Sequence, residues 1–388
     1  MSDMYFKYYR CTQCGREFQR DEVRYLCPDC SRDYRAGLPL TGVLEAIFDY
    51  ETIAGKWKEN PDPELFSAVE PEFFPELPVG NTPMFRSIRL ADAVGLLDVQ
   101  IKNDGLNPSG SLKDRASHLM VAEAIRLREK KVVTASTGNA ACALAALCAS
   151  AGLEAVIFAP KSAPPAKLVQ IKVHGATLIT VDGTYDDAFV ASLDYTAREG
   201  GLNRNTGYHP LTIEGKKTVG LEIYLQNNQN VPDWIVVPVG DGVILAGVHK
   251  AFVDLQRAGI ITRLPRLLSV QAESSDAITR YFESGQYSDA AKPATIADSI
   301  SVKTPSNAHW AVRALHETKG ASVTVTDEEI RQAQLLLART TGVFAEPAAS
   351  AGLAGLIKAT DKHILCRMDQ VVLLVTGHGL KDIGAVKV

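Results

Sequence analysis

The chain has no uninterrupted apolar stretch near the roughly 20 residues that a membrane-spanning helix needs. Its longest small-residue run, Ala140 to Ala149, is an alanine-rich helix pattern carrying two cysteines. It has no marked excess of either charge: 41 Lys and Arg stand against 45 Asp and Glu, a formal net charge of −4. That balance argues against nucleic acid or an anionic membrane as partner. The first residues, Met1-Ser-Asp-Met-Tyr-Phe-Lys7, lack the charged-then-apolar pattern of a signal peptide, so a soluble cytoplasmic protein is expected. Cysteine is scarce, seven in 388 residues. Three of these, Cys142, Cys148 and Cys366, lie in apolar surroundings and read as small buried hydrophobes in a reducing compartment. What remains is an ordinary globular composition, 46% hydrophobic and 22% charged, long enough for two core-bearing lobes.

The other four cysteines are patterned. Cys11, Cys14, Cys27 and Cys30 form C-x2-C, twelve residues, C-x2-C. This is the ligand spacing of a tetrahedral four-thiolate zinc site. Gly15 and the pair Pro28-Asp29 suit tight knuckle turns. With all four positions supplied by protein, such a zinc is structural. Residues 1–40 therefore read as a zinc-ribbon-like module, with Tyr5, Phe6, Tyr8, Phe18 and Tyr25 available to wrap a site too small to bury much core. Residues 31–80 connect it to the rest. Gly42-Val-Leu44 and Ala46-Ile-Phe48 read as a short strand or arm, and five prolines break regular structure between Glu59 and Gly80.

From Gly80 onward strand and helix signals alternate. Strands are expected at Val99–Lys102, Lys131–Thr134, Ala155–Phe158, Thr177–Val181, Trp234–Val237, Leu267–Val270, Val323–Val325 and Val371–Val375. Helices are expected at Ala116–Glu129, Ala140–Ala149, Ala163–His174, Tyr185–Arg198, Gly215–Gln226, Leu245–Arg257, Asp327–Thr340 (capped by Thr326) and Glu346–Ile357. Short apolar strands between helices indicate α/β architecture with doubly wound parallel sheets. Ligands of such sheets sit beyond the carboxyl ends of the strands.

Chemistry-bearing segments fall at those ends. Asn107-Pro-Ser-Gly-Ser-Leu-Lys113-Asp-Arg115 is a turn that delivers a lysine to a helix start. The helix dipole and partial burial both favour the neutral amine, which can form a Schiff base with a carbonyl. Taken alone, such a lysine more often simply snorkels. Ser136-Thr-Gly-Asn139 opens the alanine-rich helix and suits a carboxylate at a helix N-terminus, or an ordinary N-cap. Val239-Gly-Asp-Gly-Val243 follows a strand and opens another helix, a backbone nest suited to phosphate. It has neither Walker nor dinucleotide-binding spacing. Thr376-Gly-His-Gly379 puts a hydroxyl at the end of the last strand.

Assembled in order, these segments resemble the threonine synthase family, within the tryptophan-synthase β-like, fold type II pyridoxal-phosphate enzymes. The matching stretches also include Gly80-Asn-Thr-Pro83, Glu214-Gly-Lys-Lys-Thr218 and Glu346-Pro-Ala-Ala-Ser350. The resemblance implies two doubly wound lobes within residues 41–388, the smaller one inserted at roughly 115–205. It implies pyridoxal phosphate on Lys113, which also shuttles protons. Asn139 would meet the cofactor's ring hydroxyl, and Gly240, Asp241, Gly242, Val243 and Ile244 would hold its phosphate. Thr376 would meet the pyridine nitrogen. A hydroxyl partner does not hold that nitrogen protonated and suits elimination and replacement at the β or γ carbon. Ser136 and Thr137 would bind the substrate carboxylate. By the family habit the enzyme is a homodimer acting on a small amino acid.

The chain also departs from the family pattern. Thr212 stands where an arginine commonly binds the substrate phosphate, and His209 where an asparagine precedes it by three residues. Leu112 replaces a phenylalanine beside the lysine, and Asp241 an uncharged residue, so the Asp241 carboxylate is expected to turn away from phosphate. Lys216 and Lys217 offer replacement charge. The implied reaction is threonine synthesis from O-phosphohomoserine and water. A cysteate-synthase-like replacement on O-phosphoserine is the alternative, and a zinc-ribbon binding protein with a degenerate enzyme core is a third reading.

Overall fold

The computed structural model describes residues 4–35, 37–136, 138–161 and 165–385. In chain order come β1 (Phe6–Cys11), β2 (Glu17–Phe18), β3 (Leu44–Phe48), α1 (Tyr50–Glu59), β4 (Met84–Arg86), α2 (Ile88–Ala93), β5 (Asp98–Asn103), α3 (Lys113–Arg126), β6 (Lys131–Ala135) and α4 (Asn139–Ala151). Next are β7 (Glu154–Pro160), α5 (Pro165–Val173), β8 (Thr177–Val181), α6 (Tyr185–Glu199), β9 (Leu202–Asn203), α7 (Leu211–Gln226), β10 (Trp234–Pro238) and α8 (Val243–Arg257). Last are β11 (Arg266–Ala272), α9 (Ala277–Ser284), α10 (Ala308–Glu317), β12 (Ala321–Val325), α11 (Asp327–Thr341), α12 (Pro347–Asp361) and β13 (Gln370–Val375).

One compact unit comprises Met1–Gly80, Lys113–Thr218 and Arg257–Gly259. It holds an antiparallel sheet in the order β2-β1-β3 and a parallel sheet in the order β8-β7-β6-β9. The pleat sorts the parallel sheet's side chains onto two faces. Val133, Ala135, Val156 and Phe158 pack on Ala188 and Phe189 of α6, whereas Ile157 packs on Ala141, Cys142 and Ala145 of α4. Both faces are covered, which is why these strands read as continuous apolar runs.

The second unit comprises Asn81–Leu112, Val219–Gln256 and Ile260–Val388. Its sheet runs β12-β11-β10-β13-β5-β4, parallel except for β4, which pairs antiparallel with β5. Small residues let α12 lie close on this sheet. A Cβ at Gly355 would overlap the Val270 side chain, and one at Gly352 would meet Leu373 Cδ1 at 3.2 Å. Thr326 caps α11 as its sequence predicts: it accepts the Glu329 N–H, and Glu329 accepts the Thr326 N–H, at 3.2 and 2.7 Å.

Eight of the described elements lie outside the sequence expectation: β1, β2, β4, β9, α1, α2, α9 and α10. β4 has three residues, too few for a periodicity signal. The connector contains α1, begun by the Asp49 carboxylate on the Thr52 N–H (3.2 Å), but the helix buries only Ile53 and Trp57 and shows no apolar stripe. β1, Phe6-Lys-Tyr-Tyr-Arg-Cys11, mixes aromatic and charged residues without a clean alternation. The helix expected from Ala163 begins at Pro165 among the described residues. No helix of the described residues is long and apolar enough to cross a membrane.

Candidate active site

In the second unit the turn before Lys113 is stitched to the exit of β13. Gly110 closes it with φ +86, its N–H donating to the Asn107 carbonyl at 2.8 Å. The Leu112 N–H donates to the Thr376 carbonyl, and the His378 N–H to the Gly110 carbonyl, both at 2.9 Å. Ser111 bridges Gly377 between them. On the other side of this segment, the Glu346 N–H donates to the Gly377 carbonyl at 3.1 Å and the Gly379 N–H to that of Phe344 at 2.9 Å. Lys381 Nζ braces the turn through the Ser109 carbonyl at 2.9 Å. Thr376 is buried at the strand end, and Lys113, the residue after Leu112, is half-buried as the first residue of α3.

The nest after β10 is built as its glycines suggest. Gly242 has φ +85, open to glycine and strained for other residues. A Cβ at Gly240 would lie 2.9 Å from Ile300 Cα, and one at Gly242 would lie 3.0 Å from the Asn307 carbonyl. The Asp241 carboxylate turns back onto its own loop, where Oδ1 accepts the Val243 N–H at 3.0 Å. Ile244 lies in the first turn of α8. Asn307, which donates its backbone N–H to the Asp241 carbonyl at 2.9 Å, is buried, and its Nδ2 has no hydrogen-bond partner among the described residues. Bare backbone, a helix start and a buried amide donor together fit a phosphate ester. Sequence reading missed Asn307; a lone Asn before a helix reads as a cap.

In the first unit Ser136 follows β6. Its hydroxyl accepts the Gly138 N–H at 3.2 Å, and Asn139 is the buried first residue of α4. Thr137 lies outside the described residues. The segment after β9 leads to three residues expected to bind substrate, Thr212, Lys216 and Lys217. Thr212 is fully buried; its hydroxyl donates to the His209 carbonyl at 2.7 Å and accepts the Gly207 N–H at 3.0 Å. It staples its own loop. Lys217 is also fully buried, its Nζ on the Phe66 carbonyl at 2.9 Å, on Glu214 Oε2 at 2.5 Å and 4.1 Å from the Phe48 ring centre. It ties α7 inward, and its charge is spent there. Lys216 is fully buried one helical turn after Thr212, on the same face of α7.

Burial, reinforced by Arg24 and Arg126, pushes the His209 imidazole down to about 3. Its Nδ1 accepts the Leu211 N–H at 3.2 Å, the role of a neutral ring. The unfolded histidine takes up a proton below about pH 6.5, the native one does not until near pH 3, so this residue costs stability progressively as pH falls through that window. Between pH 7 and 5 the loss is expected to be about 2 kcal/mol. Denaturant midpoints should show a pH slope that flattens by that amount in His209→Asn; an unchanged slope would refute the assignment.

Cys11, Cys14, Cys27 and Cys30 converge, with their four sulfurs within 4.8 Å of one another. The pairs Cys11–Cys30 and Cys14–Cys27 stand at 3.8 Å, far too long for disulfides. Thiolates about 2.3 Å from a tetrahedral zinc are separated by about 3.8 Å. Burial raises the Cys11 and Cys30 thiols, while the Arg16 backbone N–H lowers Cys14 to about 7. Four thiolates this close need a cation to ionise together, so the donor set suits a metal.

Comparison with known proteins accords with this geometry. The family described as pyridoxal-phosphate dependent enzyme matches residues 75–377. A threonine synthase of Methanosarcina acetivorans is 36% identical over 382 residues, covering 96% of this chain and 92% of that protein. The chain belongs to the threonine synthase family of pyridoxal-phosphate-dependent enzymes. The threonine synthase of Methanocaldococcus jannaschii is 35% identical over 387 residues, again 96% of this chain and 92% of the relative. Among solved structures, maize serine racemase superposes with a TM-score of 0.66 at 25% identity, over 78% of this chain and 89% of that one. The family match begins at residue 75, after the cysteine module.

Proposed function

We propose that this protein is a threonine synthase, a carbon–oxygen lyase that converts O-phosphohomoserine and water into threonine and phosphate. The observation that carries it is the stitch of Leu112 to Thr376, which fixes the lysine-bearing turn at the end of β13. Pyridoxal phosphate, when bound, supplies the electron sink that acidifies the substrate's α and β protons. Lys113 holds it covalently and moves protons, and Asn139 and Thr376 hydrogen-bond its ring. The loop from Gly240 through Ile244 and the Asn307 amide receive its phosphate. The Asp241 carboxylate, on Val243, is kept off that anion. Ser136 and Thr137 orient the substrate carboxylate. Lys216, sharing a helix face with the position where relatives carry arginine, neutralises the substrate phosphate. Small-molecule binding of this kind suits the near-neutral composition.

A second reading keeps the cofactor and changes the substrate to a shorter phosphoamino acid such as O-phosphoserine. The stapled Thr212 favours it, because a substrate one methylene shorter carries its phosphate to a different place and does not need a guanidinium at this position. Comparing kcat/KM for the two phosphoesters separates the readings: a preference for O-phosphohomoserine supports threonine synthase, and a preference for O-phosphoserine supports the second.

Cys11, Cys14, Cys27 and Cys30 bind one structural zinc. Metal analysis is expected to give about one equivalent per chain. Chelation should lower the stability of the module while leaving the cofactor's absorbance in place. Metal-free protein with four freely titratable thiols in the native state would contradict this.

A further inference from the structure

The cysteine module spends its polar surface inside its own unit. Arg20 pairs with Glu70 at 2.7 Å, Asp21 with Arg126 at 2.6 Å and Arg24 with Glu129 at 2.9 Å. Arg126 ends α3, the helix that Lys113 begins, and Glu129 follows it. Tyr25, two residues before Cys27, reaches further. Its hydroxyl accepts the Asn203 N–H at 3.0 Å. Its ring stacks on Tyr208, with centroids 4.6 Å apart and planes at 27°, and meets His209 edge-on at 5.5 Å. The backbone beside Tyr25 is fixed by the second knuckle: Leu26 bridges Val43, and the Cys27 N–H donates to the Gly42 carbonyl at 2.8 Å. A Cβ on Gly42 would lie 3.1 Å from both Cys27 Cβ and Cys30 Cβ, so the knuckle and this strand fit closely.

Residues between Asn203 and Leu211 form neither helix nor strand, yet most of them are buried. Irregular buried backbone must take its order from partners outside itself. Arg204 and Asn205 are held by β6 and α6, through the Val133 carbonyl at 2.7 Å, the Ala135 N–H at 2.7 Å and the Ser192 hydroxyl at 2.8 Å, while Tyr208 and His209 rest on the Tyr25 ring and the Thr212 staple closes the far end, from which α7 runs on to Lys216.

We infer that Tyr25 is a positioning residue for the substrate: the metal-ordered knuckle holds it against Asn203, Tyr208 and His209, and so sets the segment that leads to Lys216. This rests on the substrate-phosphate role proposed for Lys216. The module is then an internal strut for substrate binding. It orders the segment and leaves the chemistry at Lys113 alone, so its loss raises KM while kcat stays close to wild type.

The test uses full-length protein loaded with zinc and pyridoxal phosphate, in wild type, Tyr25→Ala, Tyr25→Phe and the exposed-pair control Lys7→Ala. Backbone amide exchange across 203–212 is expected to quicken about tenfold or more in Tyr25→Ala, with β10, β11 and β13 still protected. KM for O-phosphohomoserine should rise about fivefold or more, with kcat within about twofold and the cofactor absorbance unchanged. Tyr25→Phe keeps the stack but loses the hydroxyl that accepts the Asn203 N–H, so its KM should lie between those of wild type and Tyr25→Ala. Chelating the metal from wild-type protein should reproduce the faster exchange of 203–212, and this arm decides the matter if Tyr25→Ala is insoluble. Wild-type exchange in Tyr25→Ala or in chelated protein would overturn the inference. So would a fall in kcat at constant KM, or an equal loss of protection across the whole unit. The exchange arms need no substrate: a wild type that turns over neither phosphoester sinks the functional proposal and leaves the strut to be decided by exchange.

Discussion

Lys113→Ala is expected to abolish turnover, lowering kcat by about a thousandfold or more. The substitution removes two roles at once. It removes the amine that anchors the cofactor, and it removes the group that carries protons at the substrate, a contribution of roughly 100- to 10,000-fold in enzymes generally. The fold should survive, because Lys113 is only half-buried and the turn before it is held by backbone bonds from Leu112, Gly110 and Ser111 that need no lysine side chain. Borohydride treatment should fix the cofactor on the Lys113 peptide of wild type and fix nothing in the variant. Residual activity within tenfold of wild type would remove Lys113 from the catalytic role.

Lys216→Gln, which removes the charge and keeps a polar side chain of similar reach, is expected to lower kcat/KM for O-phosphohomoserine by about 30- to 1000-fold, or roughly 2–4 kcal/mol of transition-state binding. Thr212 holds the His209 carbonyl and the Gly207 N–H, and Lys217 holds Glu214 and Phe66. Lys216 lies four residues after position 212, on the helix face where the family's arginine would stand. Thr212→Arg is not expected to rescue the variant, because a guanidinium cannot fit a fully buried staple without opening the loop. A Lys216→Gln enzyme within about twofold of wild type, a few tenths of a kcal/mol, would show that α7 does not read the substrate phosphate.

Much of this was legible in the chain. Strands such as Trp234–Pro238 and Gln370–Val375 are buried on both faces, so apolar side chains occupy every position but Gln370 and mark them plainly. The nest after β10 announces itself because Gly242 must adopt positive φ. The four cysteines are legible because their paired C-x2-C spacing is that of a four-thiolate site, and the fold brings the four sulfurs together. The direction of a side chain is a tertiary fact and was not legible. Lys217 meets Glu214, the Phe66 carbonyl and the Phe48 ring, and nothing in the residues beside it announces those partners. The amide of Asn307 gains meaning only when folding brings it beside Asp241 and Gly242. Tyr25 reads as a wrapper of the metal, and only the fold shows that it reaches Tyr208 and His209.

The most direct measurement follows the oxygen. Cofactor-loaded protein is incubated with O-phosphohomoserine in water labelled with heavy oxygen, and both products are analysed by mass. A threonine synthase breaks the carbon–oxygen bond of the phosphoester and adds water at the β carbon. The account therefore predicts threonine and phosphate in equal amounts, with label in the threonine hydroxyl and none in the phosphate. Label in the phosphate, with homoserine as the organic product, would mean attack at phosphorus and contradict it; so would a yellow, cofactor-bearing protein that releases no phosphate from this substrate.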